Sequence, residues 1–236
     1  MLDEILPPWV ATAELFGDPP DITLFPEEEA LVSDSADKRR REFRTSRHCA
    51  HLALRQLGVA PRPVLRGDRG APTWPPGVVG SITHCPGYRA AAVAHGALSI
   101  GIDAEPHLPM PHGVLERTAT PAEAAALDLL DLPDPGRLLF SAKEAIYKAW
   151  YPLTGHWLGF LDAAVTFTTS SPHPPAGPGA LAAPRAAARS GELTVFGTFA
   201  AEIAVHGPGW PTRFEGRWLV SDGLIVTAIA IPSPSV

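Results

Sequence analysis

Residues 78–105 read VVGSITHCPGYRAAAVAHGALSIGIDAE, three apolar runs at 78–83, 88–94 and 98–105 separated by Cys85-Pro86-Gly87 and His95-Gly96. Short apolar runs between proline and glycine turn signals predict a meander of strands. In the third run Ile100, Ile102 and Ala104 alternate with Ser99, Gly101, Asp103 and Glu105. Period-two alternation puts Asp103 and Glu105 on one face, with Cα atoms about 6.5 Å apart.

Upstream, residues 37–57 predict a helix closed by Gly58. At 100° per residue from Phe43, the residues Phe43, Ala50, Leu54 and Leu57 form a core-facing stripe, and Arg47, Arg40, His51, Arg44 and Arg55 form a basic stripe beside it. Such a stripe, at the margin of a buried face, borders a groove. Downstream, Thr120-Pro121-Ala122-Glu123 is a capping-box start for a helix to residue 130, and Asp134-Pro135 starts another that runs to the residue before Pro152. Residues 168–190 are rich in proline and small residues and predict a flexible insertion. Strands are expected at 193–199, 201–205, 218–220 and 224–231, the last two joined by Ser221-Asp222-Gly223, with a frayed tail from Pro232. Strands and helices do not alternate throughout, which predicts an α+β fold rather than a doubly wound parallel sheet.

At 236 residues, 45% hydrophobic and 19% charged, the chain suits one large domain or two small ones. The stretch Met-Leu-Asp-Glu-Ile-Leu-Pro-Pro is acidic and broken by proline, so it does not read as the basic and apolar regions expected of a signal peptide, and no apolar run approaches the ~20 residues that span a bilayer. Cys49 and Cys85 give no disulfide framework, and a cytoplasmic location is expected. The net charge of −6 is unevenly spread: residues 1–37 hold ten acids and no Lys or Arg, while 38–69 hold Lys38 and nine arginines against Glu42 and Asp68. The plainer reading is a solvated acidic arm beside a solvated basic face, and the sharper one is a site for polyanions. Nucleic acid is disfavoured, because the protein as a whole is acidic and carries no nucleic-acid-binding signature.

Two motifs carry chemistry: Gly-Ile-Asp-Ala-Glu at 101–105 and Phe-Ser-Ala-Lys-Glu-Ala-Ile-Tyr-Lys at 140–148. The chain has three lysines, Lys38, Lys143 and Lys148, and two of them flank Glu144. Asp103, Glu105 and Glu144 form an oxygen donor set suited to Mg²⁺ completed by phosphate oxygens, with Lys143 and Lys148 as phosphate-holding charges. Taken singly, a Lys-Glu pair on a helix is more often a solvated ion pair, and a lone histidine such as His84 more often packs or caps. Neither His48-Cys49 nor His84-Cys85 has zinc-ligand spacing. The chain has no Gly-x-Gly-x-x-Gly, P-loop or Gly-x-Ser-x-Gly motif, so dinucleotide, P-loop and serine-hydrolase chemistries lose their usual supports.

In this order and spacing, the motifs make the chain resemble the 4′-phosphopantetheinyl transferases of the surfactin-synthetase and enterobactin type, especially their actinobacterial branch. The similar stretches are RRREFRTSRHCA at 39–50, GVVGSITHC at 77–85, GIDAEP at 101–106 and FSAKEAIYKAW at 140–150, with a familiar ending at 218–224. The resemblance implies a pseudo-dimer of two similar α+β subdomains with the active site in the cleft between them. These would be 1–102, with the acidic arm and the coenzyme A-binding helix and strands, and 103–236, with the metal and catalytic motifs. It implies Mg²⁺-dependent transfer of the 4′-phosphopantetheine arm of coenzyme A to a serine of an apo acyl or peptidyl carrier protein, releasing adenosine 3′,5′-bisphosphate, with Mn²⁺ as a substitute metal. By resemblance Asp103, Glu105 and Glu144 are metal ligands, and Glu144 is also the base that takes the serine proton, directly or through water. Lys148 and His84 join Glu144 as the catalytic set. His84, Lys143 and Lys148 contact the coenzyme A phosphates, and Arg47 and Arg55 serve the 3′-phosphate side. Arg66 or Arg69 lies near the nucleotide, and Ser81 and Thr83 line the adenine pocket. The implied partners are coenzyme A and acidic carriers of polyketide, nonribosomal-peptide and siderophore biosynthesis, served by a monomer without membrane or nucleic-acid contact. The rivals are a non-catalytic coenzyme A- or carrier-binding module of the same fold and a Mg²⁺-dependent nucleotidyl or phosphate hydrolase.

Overall fold

A computed structural model describes residues 1–170 and 194–234. In chain order its elements are α1 Leu2–Ile5, β1 Ala11–Phe16, α2 Pro26–Ala30, α3 Asp37–Gln56, β2 Leu65–Arg66, β3 Pro72–Thr73, β4 Val78–Cys85, β5 Tyr88–His95, β6 Ala97–Pro106, α4 Leu115–Thr118, α5 Pro121–Leu127, α6 Pro135–Thr154, β7 Ala163–Ser170, β8 Val195–Ile203, β9 Arg213–Ser221 and β10 Leu224–Pro232. A three-stranded sheet has the order β1-β5-β4 and a five-stranded sheet the order β6-β10-β9-β8-β7, while β2 and β3 pair alone. All the pairings are antiparallel. The result is a mixed arrangement of helices and antiparallel sheets, in keeping with the expected α+β class.

Three apolar layers hold the molecule. On one side Cys49, Ala50, Ala53 and Leu54 of α3 pack on Ala13, Val78, Ala91 and Val93 of the small sheet. On the other, Leu138, Leu139, Ile146 and Trp150 of α6 pack on Val165, Phe199 and Trp218 of the large one. Between the sheets Tyr88, Ala90, Ala92 and Ala94 meet Ile100, Ile102, Ala104 and Val226. Strand β5 is therefore covered on both faces, and its Ala-Ala-Ala-Val-Ala run is small because a helix and a second sheet close on it from opposite sides.

The hairpins follow turn chemistry. Gly87 at φ 81° closes β4–β5 after Pro86, and Asp222 and Gly223, at φ 52° and 71°, form the two-residue turn between β9 and β10. The side chain of Thr120 accepts from the Glu123 N–H while Glu123 accepts from the Thr120 N–H, the predicted capping box.

Several expectations are corrected. Residues 1–37 are not a solvated arm: β1 is a strand of the small sheet, Leu2 and Ile5 are buried, and the acids take partners. Glu29 pairs with Arg44, Glu28 with His51, Asp18 with Arg89, and Glu14 accepts from the Tyr88 hydroxyl. Because β1 occupies the free edge of β5, the run at 98–105 does not complete a meander. It crosses instead to the large sheet and pairs with β10. The division expected at 102/103 falls within this unbroken strand. Strand β7 was not anticipated, and it takes in residues 168–170 of the expected insertion; residues 171–190 of that segment lie outside the described residues, as do 235–236 of the tail. The strands expected at 193–199 and 201–205 are one, β8. Helix α5 ends at Leu127, before the predicted 130, and α6 passes through Pro152 to stop at Gly155, φ 68°.

Candidate active site

Helix α3, the β2–β3 hairpin, β4, the start of β6 and α6 enclose a cavity of about 480 Å³, a size that suits a cofactor-sized ligand. From α3 come Arg39, Phe43, Ser46 and Arg47, neighbours on one helical face. Arg47 is 6% exposed. Its Nε donates to the Val64 carbonyl at 2.8 Å, and its Cζ lies 4.5 Å from the centroid of the Phe43 ring, which Arg66 approaches at 6.0 Å. Burial first, then the charges of Arg66 and Arg39, lowers Arg47 to about 10 against the pull of Glu28, so it stays charged at neutral pH. Arg66 and Arg69 both line the cavity, the latter from a left-handed position at φ 52°.

His84, at the end of β4, opens into the cavity, and Arg39 Nη1 lies 3.1 Å from its Nε2. A guanidinium can only donate, so Nε2 is the acceptor and the neutral ring carries its proton on Nδ1. The desolvating walls foremost, followed by Arg39 and Lys148, hold the imidazole below its ordinary range. His84 is thus a neutral donor in a cationic setting.

The acids lie where β6 meets α6. Gly101 makes that approach close: a Cβ there would fall 2.8 Å from Ala149 N and collide with the Ala145 carbonyl. Ser99 Oγ donates to the Ala149 carbonyl at 2.7 Å. Asp103 and Glu105 share the α6-facing side of β6, as alternation requires. Lys148 Nζ donates to Asp103 Oδ1 at 2.7 Å and to the Ile102 carbonyl at 3.1 Å, and Arg137 Nη1 donates to Glu105 Oε2 at 2.9 Å. Glu144 and Lys148, one turn apart, both face the cavity. Burial, foremost, raises the Glu144 carboxyl, with Lys148 opposing and Asp103 and Glu105 adding to the rise. Glu105 is likewise raised by burial and then by Asp103, against Arg137.

The donor set suits a hard divalent cation. Among the described residues, buried Asp103 Oδ2 has no hydrogen-bond partner, and the repulsion that Asp103 adds to the raised carboxyls of Glu105 and Glu144 is what such an ion relieves. Among the described residues, no three acid, His or Cys side chains yet stand close enough to enclose an ion. Arg137 holds one oxygen of Glu105.

Of the predicted site residues, Arg47, Arg66, Arg69, Ser81, His84, Glu144 and Lys148 line one cavity, and Asp103 is joined to it through Lys148. Lys143 is not there. It is 3% exposed, and its ammonium is used up by Glu123 and the carbonyls of Thr118 and Phe160, at 2.7–2.9 Å. Arg55 is exposed two turns beyond Arg47 and does not reach the cavity. Thr83 is buried behind the lining; its Oγ1 donates to Asp103 Oδ1 at 3.3 Å and accepts from the Ala104 N–H at 3.0 Å. The basic stripe meets the cavity at Arg47 alone, since Arg40, Arg44 and His51 face acids. Arg39 went unrecognised, although it lies one turn before Phe43 and about 40° from it on the side opposite Arg47. Trp74, Tyr147 and Tyr151 supply the apolar walls and had no distinguishing signal.

Comparison with known proteins gives the same order of parts. Residues 27–94 match the family described as 4′-phosphopantetheinyl transferase N-terminal domain, and 99–185 the 4′-phosphopantetheinyl transferase superfamily. The chain is 49% identical over 238 residues to the 4′-phosphopantetheinyl transferase Npt of Nocardia iowensis, covering 98% of this chain and 99% of that one. It is 46% identical over 235 residues to the 4′-phosphopantetheinyl transferase PptT of Mycobacterium tuberculosis, covering 94% and 92%. To the 4′-phosphopantetheinyl transferase Svp of Streptomyces mobaraensis it is 45% identical over 248 residues, covering 100% and 91%.

Proposed function

The chain belongs to the 4′-phosphopantetheinyl transferase superfamily, and from that membership we propose how its cavity performs carrier-protein modification. The protein is a transferase that places 4′-phosphopantetheine on a carrier protein. Coenzyme A lies in the cavity as donor, and the acceptor is a serine of an acidic apo acyl or peptidyl carrier. The chain forms two halves of a pseudo-dimer, one with α3 on the three-stranded sheet and the other with α6 on the five-stranded sheet, and the cavity is the cleft between them. Gly96, ahead of β6, is the natural boundary.

The observation that carries this placement is one cavity lined by Arg39, Arg47, Arg66 and Arg69 together with His84, Glu144 and Lys148, the last bonded to Asp103. Arg39, Arg47, Arg66 and Arg69 take the phosphate at the nucleotide end, as planar donors suited to phosphate oxygens. His84 donates through Nδ1 and Lys148 through its remaining ammonium proton to the pyrophosphate. Asp103, Glu105 and Glu144 would hold Mg²⁺, or Mn²⁺ in its place; when bound, that ion neutralises charge on the pyrophosphate. Its loading requires Glu105 to share its carboxylate with Arg137. Glu144, made more basic than a solvent-exposed carboxylate by burial, takes the proton of the carrier serine directly or through one water. The products are holo-carrier and adenosine 3′,5′-bisphosphate.

Incubating the protein with coenzyme A, Mg²⁺ and an apo carrier should add the mass of one phosphopantetheine arm to the carrier serine. The variant Glu144→Gln should bind coenzyme A while turnover falls at least 100-fold. Equal turnover in that variant removes Glu144 as base. Phosphate release without a carrier would favour the hydrolase, and coenzyme A binding without transfer the binding module.

A further inference from the structure

Glu28 is wholly buried on α2 and lies outside the cavity, yet it is joined to it by one residue. Its Oε1 accepts from the Val64 N–H at 2.8 Å and sits 2.9 Å from His51 Nε2, and its Oε2 accepts from the Phe25 N–H at 3.2 Å. Val64 is itself fully buried just ahead of β2, outside any strand ladder, and its carbonyl is the acceptor for Arg47 Nε. Both backbone polar groups of Val64 are therefore taken by side chains, one an acid from the N-terminal segment and the other the deepest cation of the cavity.

We propose that Glu28 is a positioning residue for coenzyme A: it fixes Val64, and Val64 fixes the Arg47 guanidinium over Phe43 with its Nη groups turned to the ligand. The proposal rests on coenzyme A occupying this cavity. An arginine held at Nε and stacked on a ring has little rotamer freedom left to lose on binding. Among the described residues the Nη groups of Arg47 have no protein acceptor, which leaves them to an anion. When the carboxylate is removed, Val64 loses the acceptor for its N–H, and Arg47 must be ordered by the ligand itself. The acidic N-terminal segment thereby contributes to nucleotide affinity without touching the nucleotide.

The test is coenzyme A affinity by calorimetry on folded protein, with KM and kcat measured in parallel, for Glu28→Ala, Glu28→Gln, Arg47→Ala and the Glu28→Ala/Arg47→Ala double variant. Glu28→Ala should raise Kd and KM about tenfold with kcat within twofold, because the reacting groups are untouched. Glu28→Gln keeps an acceptor for the Val64 N–H and should restore affinity to within threefold. In the Arg47→Ala background, Glu28→Ala should add less than twofold, since the relay has lost its end. A full tenfold effect in that background overturns the relay, as does unchanged affinity in Glu28→Ala when Arg47→Ala alone is weakened. Should Glu28→Ala not fold, Glu28→Asp keeps the charge, withdraws the carboxylate by one methylene and should weaken binding threefold or more; unchanged affinity there counts against the proposal equally. If Arg47→Ala binds coenzyme A as tightly as the parent, the placement of coenzyme A fails first.

Discussion

Replacing Lys143 by Met separates a phosphate-holding lysine from a structural one. The methionine keeps the stem length and apolar volume but removes the ammonium, which is bonded to Glu123 at 2.8 Å and to the carbonyls of Thr118 and Phe160 at 2.8 and 2.7 Å. With side chains 1% and 5% exposed, this pair has almost no solvent to fall back on. Breaking a buried pair by removing one partner costs about 3–5 kcal/mol. Glu123 keeps two backbone donors, the N–H groups of Thr120 and Val165, which softens the loss toward about 3 kcal/mol. For a chain of this size that lowers Tm by about 6–12 °C. Urea unfolding should show the loss. Coenzyme A affinity of the folded variant should stay within twofold of the parent. A variant as stable as the parent but with tenfold weaker coenzyme A binding would return Lys143 to the phosphates and refute its structural assignment.

Arg55→Ala should leave coenzyme A affinity unchanged and stability within about 0.5 kcal/mol, because the side chain is exposed and away from the cavity; a tenfold loss of affinity in titration calorimetry would contradict the geometry. Gly101→Ala should destabilise by at least about 2 kcal/mol in urea, since β6 and α6 meet backbone to backbone there, and wild-type stability would mean that the helix can retreat. Burial, foremost, pushes the thiols of Cys49 and Cys85 up to about 12. At pH 8 their native thiolate fraction is on the order of 10⁻⁴, so thiol reagents should modify them only after unfolding. A thiol more acidic in the unfolded chain than in the folded one adds stability below its unfolded pKa. That share should fade as pH rises from about 9 toward 12, and a Cys49→Ala/Cys85→Ala variant should show a flatter alkaline slope.

Local signals in the sequence translated well into local structure. The α3 stripe, the Thr120 capping box, the Asp222-Gly223 turn and the alternation that sets Asp103 beside Glu105 each depend on neighbours within a few residues, and each is present. What failed depended on tertiary partners. The acids of 1–37 resemble a solvated arm until Arg44, His51 and Arg89 are known to face them. Strand β1 is hidden because Ala11–Phe16 alternates weakly, and its pairing with β5 is what sends β6 to the other sheet. Lys143 and Lys148 are equally suggestive in a linear motif, but five residues of helix turn them about 140° apart, one toward Glu123 and the other toward Asp103. In the same way Arg55 and Arg39 both lie eight residues from Arg47, and only Arg39 is on the cavity side.

The contact between β4 and β6 has a further consequence. Each is an edge strand of its own sheet, and an open edge invites another chain to add to it. Here the outward N–H groups of Ile102 and Ala104 are occupied by the hydroxyls of Ser81 and Thr83, at 3.2 and 3.0 Å, and the Ile102 carbonyl by Lys148. Two sheets are thus sealed along a seam of side-chain oxygens without becoming one ladder, and this stretch of β6 is closed to intermolecular pairing. The Thr83 oxygen that closes the seam at Ala104 also donates to Asp103, and Lys148 does the same double service, bonding both the Ile102 carbonyl and Asp103, so the closed edge and the carboxylate geometry share two side chains. A substitution at Thr83 would therefore open the β6 edge and release Asp103 together.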